Sequence, residues 1–172
     1  EYLLNFNNFG SIHVNMKFLL DHGGTGFYEQ GALSSMTAGF QEMRIFVESQ
    51  LMWDISQSYN DLAKEFIFAY YGEAAPYIWD YFLLTVSNHA IMKTKGAGQG
   101  IYANHINVNF YPIEVVMQMF SLFKKAEAAL EPLRTTNEQR YRQKARFQGL
   151  QRTAMMIWLL LTTTATRSGP RP

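Results

Sequence analysis

The sequence predicts a mainly α-helical fold that opens on a βαβ unit belonging to a larger parallel sheet or barrel. Three observations point there. Two short strand-like segments, residues 2–9 ("YLLNFNNF") and 25–31 ("TGFYEQG"), bracket the helical stretch "HVNMKFLLDHGG". Strand, helix and strand within about 30 residues form a βαβ pattern, with parallel neighbours and a right-handed crossover. After Gly31 the strand signals stop and five helical patterns follow. Two parallel strands by themselves leave both sheet edges unpaired, whereas parallel sheets are covered on both faces. The front therefore reads as the last two strands of a larger sheet or barrel.

The elements follow in order. In the first helical stretch Val14, Phe18 and Asp21 share a face, and Gly23-Gly24 supplies the stop. Phe40, Met43, Val47 and Leu51 mark one face of a helix that runs to about Trp53. Ser58 and Asp61 form a capping pair ahead of Leu62, Phe66 and Ala69, with Gly72 just past the end. Pro76 opens a third helix, on which Ile78, Phe82 and Val86 line up. A break from Thr94 to Tyr111 includes the flexible "KGAGQG". A fourth helix begins at Pro112, with Val115, Met119, Leu122 and Ala126 on one side, and Pro132 ends it. The last helix, Glu138 to Leu161, places Phe147, Leu150, Ala154, Ile157 and Leu161 at three- and four-residue steps. Two long helices joined by a short polar turn predict an antiparallel hairpin. The Thr-rich, basic tail 162–172 is expected to be flexible.

Composition bounds the function. At 172 residues with 48% hydrophobic and 17% charged residues, the chain can build a sizeable core, as one domain or as a small domain plus part of another. A net charge of +1 gives no global field for nucleic acid or acidic membranes. Cysteine is absent, which excludes a disulfide framework and thiolate metal sites. The longest apolar run, Met155 to Leu161, is too short to span a bilayer. The chain opens at Glu1 with neither a methionine nor a basic segment, so an interior piece or a trimmed mature chain is expected.

"GTGFYEQG", then "EMRIFVESQLMWD" and "LAKEFIFAYYGEAAPYIWDYF", together resemble the C-terminal part of bacterial glycoside hydrolases related to α-glucuronidases, largely described as a domain of unknown function. That family's pattern falls here on Gly23–Gly31, on Leu51–Asp54, and on Tyr70-Tyr71-Gly72 with Pro76-Tyr77-Ile78. "YPIEVVMQMFSLFKKAEAAL" and "EQRYRQKARFQGLQRTAMMIWLLL" are similar to its closing helices. The tail departs from the pattern. The resemblance implies the last βα units of a (β/α)₈ barrel in residues 1–54 and an α-helical C-terminal domain in 55–161. It also implies hydrolysis of glycosidic bonds in a polysaccharide, an upstream barrel portion of the same polypeptide, and an exported location, periplasmic or at the cell surface.

Substrate binds at the C-terminal ends of barrel strands. Glu29 and Gln30 end one such strand, and Asn7 and Asn8 the one before it. Carboxylates and amides pair with sugar hydroxyls, while the rings of Tyr28 and Phe9 could cover a sugar's C–H face. Glu29 is thus the candidate catalytic carboxylate, with Asn7, His13, Tyr28 and Gln30 as substrate-binding candidates. The bland alternative is that Glu29 caps the next loop or pairs with Arg44. Glycoside hydrolysis needs two carboxylates roughly 5–9.5 Å apart, and the preceding strand offers only Asn7 and Asn8. This chain alone is therefore expected to be inactive. A non-catalytic carbohydrate-binding module and a helical interaction module are the rival readings.

Other motifs are weaker. His13 and His22 lack metal-ligand spacing, so no metal is expected. "GAGQG" lacks the Lys-Ser/Thr of a phosphate loop, and no cofactor is expected. Arg140, Arg142, Lys144 and Arg146 read as a solvated helix face rather than a nucleic-acid site. Trp53, Trp79 and Trp158 sit in apolar settings and are expected in the core.

Overall fold

A computed structural model describes residues 8–28, 39–95, 111–142 and 144–167 of the chain. Among these residues the regular elements are helices: α1 (Ile12–Asp21), α2 (Gln41–Trp53), α3 (Tyr59–Tyr71), α4 (Ala75–Thr94), α5 (Ile113–Leu130), α6 (Leu133–Thr136), α7 (Glu138–Tyr141) and α8 (Lys144–Arg167). A 3₁₀ turn, Gly72–Ala74, joins α3 to α4. The packing follows chain order: α1 touches α2, α2 touches α3, α3 touches α4, α4 touches α5, and α5 touches α8.

Local chemistry explains the boundaries. The Ser58 hydroxyl accepts a hydrogen bond from the backbone N–H of Asp61 at 3.3 Å and caps α3. Gly72, at φ 54°, makes the corner into the 3₁₀ turn, and Pro76 occupies the first turn of α4. Phe40 caps α2 at φ 62°, a left-handed conformation that costs a non-glycine residue about 1–2 kcal/mol. Burial offsets that cost, because the Phe40 ring lies 6.1 Å from Phe9 and 5.5 Å from Phe82, both edge-on.

A line of rings runs through the core. Phe9 lies 5.2 Å from Phe82, Phe40 lies 5.8 Å from Tyr81, Tyr81 lies 4.8 Å from Phe123, and Phe123 lies 6.4 Å from Phe147. One buried cluster includes residues from Phe9 to Ala154. It crosses the expected boundary at residue 54.

The expected faces hold on α2, where Met43, Val47 and Leu51 are buried, and on α8, where Phe147, Leu150, Ala154 and Ile157 are buried. On α5 the inward line is Val116, Met119, Phe123, Ala126 and Leu130. Val115 and Leu122 are only partly buried beside it. On α3 Leu62 points inward as expected, but Ala69 is exposed, and Tyr59, Ala63, Ile67 and Tyr71 complete the buried face. The face of α1 is inverted. Ile12 and Met16 are buried, whereas Val14 is 65% and Phe18 57% exposed.

The α5–α8 hairpin is antiparallel. Gln151, early in α8, donates to Glu127, late in α5, at 2.9 Å, while Trp158 lines a groove with Met117 near the start of α5.

Two expectations need correction. Residues 8–10 form a turn: the backbone N–H and the hydroxyl of Ser11 both donate to the Asn8 carbonyl at 2.9 Å, which leads the chain into α1 instead of along a strand. Residues 24–28 have no regular structure. The Gly24 N–H returns to the Leu19 carbonyl at 2.8 Å, and the glycines at 24 and 26 disfavour a strand that has no ladder partner among the described residues. The rest of the two predicted strands, residues 2–7 and 29–31, lies outside the described residues. The predicted tail is also shorter than expected, because α8 continues to Arg167. No glycine or proline falls in residues 162–167, ahead of Ser168-Gly169-Pro170, and the Thr162 hydroxyl bonds back to the Trp158 carbonyl at 3.1 Å.

Candidate functional site

Glu29, Asn7 and Gln30 lie outside the described residues. The structure does place His13 and Tyr28, together with Asn8, Phe9 and Arg44, which frame the same end of the chain. Phe9 enters the ring cluster from the turn before α1. Its outer face carries the Arg44 guanidinium, 4.1 Å from the ring centroid. The same guanidinium donates to the Asn8 side-chain carbonyl. Arg44 projects from α2, so this contact ties the turn before α1 to α2.

The electrostatics fit a half-buried cation among polar neighbours. Burial pulls the Arg44 pKa below its usual value, partly countered by Tyr59 and Glu48. Burial pushes the Tyr59 phenol well above its usual range, with the Arg44 charge opposing the shift. The Tyr59 hydroxyl is therefore a protonated donor at neutral pH, and it has no hydrogen-bond partner among the described residues.

His13 sits in the first turn of α1. Its Nε2 lies 2.8 Å from the Ile55 carbonyl. A carbonyl only accepts, so Nε2 carries the proton and Nδ1 holds the lone pair of the neutral ring. This bond fastens α1 to the loop between α2 and α3. His13 also lines a cavity of about 190 Å³ with Phe9, Tyr59, Asn60 and Phe82. Tyr28 is not among the residues lining that cavity, and it is 89% exposed. The structure thus brings His13 to Phe9 and Tyr59 and leaves Tyr28 on the surface.

The tryptophans divide three ways. Trp79 stacks on Phe82 at 5.3 Å, as a core residue would. Trp53 is 92% exposed, which corrects the core expectation: Leu51, two positions earlier, takes the buried face of α2, and the helix turns Trp53 away from it. Trp158 is half-buried at the edge of a groove.

Tyr59 and its electrostatic influence on Arg44 were missed in the sequence. The available signal was one arginine on a helix whose remaining inward positions are apolar. Among the described residues no group of three His, Asp or Glu side chains could hold a metal, and no helix is long and apolar enough to cross a membrane.

Residues 1–82 match the family model described as Domain of unknown function (DUF4838), a span slightly under half of the chain. The matched span contains Gly23–Gly31, Leu51–Asp54 and Tyr70–Ile78. No curated protein and no solved structure matches the chain.

Proposed function

We propose that this chain is the C-terminal portion of a carbohydrate-active enzyme that hydrolyses glycosidic bonds in a polysaccharide. In this reading the front of the chain completes a (β/α)₈ barrel whose earlier strands belong to the same polypeptide. Glu29 stands at the barrel mouth as acid/base or nucleophile, and its partner carboxylate comes from another strand. Asn7 and Gln30 offer amides to sugar hydroxyls beside it. The observation that carries the reading is Tyr28, an almost fully exposed ring next in sequence to the candidate carboxylate. An aromatic face beside a carboxylate is what stacking on a pyranose and protonating its glycosidic oxygen require. The outward apolar side of α1 (Val14, Phe18, Leu19) also supports it, since a neighbouring barrel would cover such a surface.

His13 has a lesser part. With Nε2 tied to Ile55, its contribution is to hold α1 in place, and only Nδ1 is left to accept a bond from a ligand.

A second reading, a non-catalytic carbohydrate-binding or helical interaction module, is favoured by the absence of strands among the described residues. Glu29→Gln in the full-length polypeptide separates the two. The substitution keeps size and hydrogen bonding while removing the charge. Catalysis predicts a loss of about 100-fold or more in kcat/KM on the polysaccharide, about 2.7 kcal/mol, with the melting midpoint unchanged. A loss under about threefold leaves Glu29 outside the chemistry.

A further inference from the structure

A groove lies between α5 and α8, away from the front of the molecule. It is an open groove of about 530 Å³, within the range of small-ligand pockets. Its two walls run antiparallel, and the side chains that line its two ends differ in chemistry. One end is apolar and aromatic, with Met117, Phe120 and Trp158. The other is polar: Gln151 Nε2 donates to Glu127 Oε1 at 2.9 Å, and the Lys144 ammonium lies 3.3 Å from the same oxygen. Lys124 brings an ammonium to the lining. From Met117 to Glu127 the groove follows about 15 Å of helix axis.

This gradient decides between kinds of occupant. A docking helix needs an apolar stripe along its whole length, and the Glu127–Gln151 pair interrupts one. A fatty chain would lay hydrocarbon against the charged Glu127 and Lys124 side chains and cost them hydration. A pyranose has an apolar C–H face and a rim of hydroxyls that both donate and accept. It can stack on Trp158 while its rim meets Gln151, Glu127 and Lys124. We propose that the α5–α8 groove is a saccharide-binding site, separate from Glu29, that holds a short stretch of glycan against Trp158. The choice of a sugar rests in part on the carbohydrate reading above, while the pocket chemistry stands without it.

The test follows the three tryptophan indole N–H signals by nuclear magnetic resonance. The chain is titrated with xylohexaose, maltohexaose and a galacturonic acid hexamer, each to about 10 mM, well past a millimolar Kd. Trp158→Phe assigns its signal by loss. The proposal predicts that the Trp158 signal shifts and saturates with at least one probe. The buried-side Trp79 and the exposed Trp53 should not follow it. Gln151→Ala, with unchanged circular dichroism, should weaken that binding by about fivefold. A silent Trp158 with all three probes overturns the proposal, as does saturation by decanoate in their place. Failure here leaves the Glu29 assay untouched, because the two experiments read different residues.

Discussion

Helices α1 and α4 are made of similarly apolar sequence yet are held in opposite ways. α4 buries Ala75, Ile78, Tyr81, Phe82, Thr85, Asn88 and Met92 between α3 and α5. α1 buries Ile12 and Met16 and turns Val14, Phe18, Leu19 and Leu20 outward. Its attachment depends on a few points: the Phe9 ring in the core, the His13 bond to the Ile55 carbonyl, and the turn at Asn8. The difference teaches that the stability of α4 is supplied within the chain, while α1 offers a surface that nothing among the described residues buries. Helices so lightly held open locally at a free energy far below that of global unfolding.

The largest effect tests the α4 side. Phe82 contacts Phe9, Phe40 and Trp79, so Phe82→Ala should destabilise the chain by about 3–5 kcal/mol, read from the urea midpoint. A loss under about 1 kcal/mol would mean that the ring cluster does not hold the array together.

A smaller effect sharpens the α1 side. His13→Ala removes one side-chain hydrogen bond and should cost about 1 kcal/mol at most in global stability. It should nevertheless raise amide exchange throughout α1. A global cost near that of Phe82→Ala would place α1 inside the cooperative core and erase the contrast.

The smallest effect is the most informative about partners. The double substitution of Val14→Ser and Phe18→Ser should change the stability of this chain by about 0.5 kcal/mol or less, because both side chains are already in water. In the longer polypeptide, where the proposed barrel covers them, the same pair should lower the melting midpoint clearly. Equal effects in the two settings would show that nothing covers α1.

How much of this was legible in the sequence varies by element, for physical reasons. α2 could be read because Met43, Val47 and Leu51 form a single apolar stripe, and that stripe is buried. On α5, Val115-Val116 and Leu122-Phe123 are adjacent apolar pairs, so two stripes about 100° apart fit equally well. Packing against the rings of Tyr81 and Phe147 chose Phe123. α1 shows the same ambiguity in stronger form. Ile12–Met16 and Val14–Phe18 are both spaced by four and lie about 200° apart, so periodicity cannot say which faces inward. Phe9 settles it by anchoring the start of the helix in the core. The seat of Arg44 on Phe9 joins residues 35 apart in sequence and left no local signal. The groove beside Trp158 likewise exists only once α5 and α8 have packed. The strand reading failed at 25–28 because β-forming residues need a paired neighbour, which the described part of this chain does not supply.

Native-state hydrogen exchange on this chain tests most directly whether α1 is a surface waiting for cover. The amides from Met16 to Asp21 should exchange by local opening at a free energy about 2 kcal/mol or more below that of Tyr81 and Phe82 in α4, a difference of roughly thirtyfold in rate. In the longer polypeptide the same amides should become protected. If α1 in this chain alone exchanges at the same free energy as Tyr81 and Phe82, the helix is already a full member of the core, and the account of an uncovered face is contradicted.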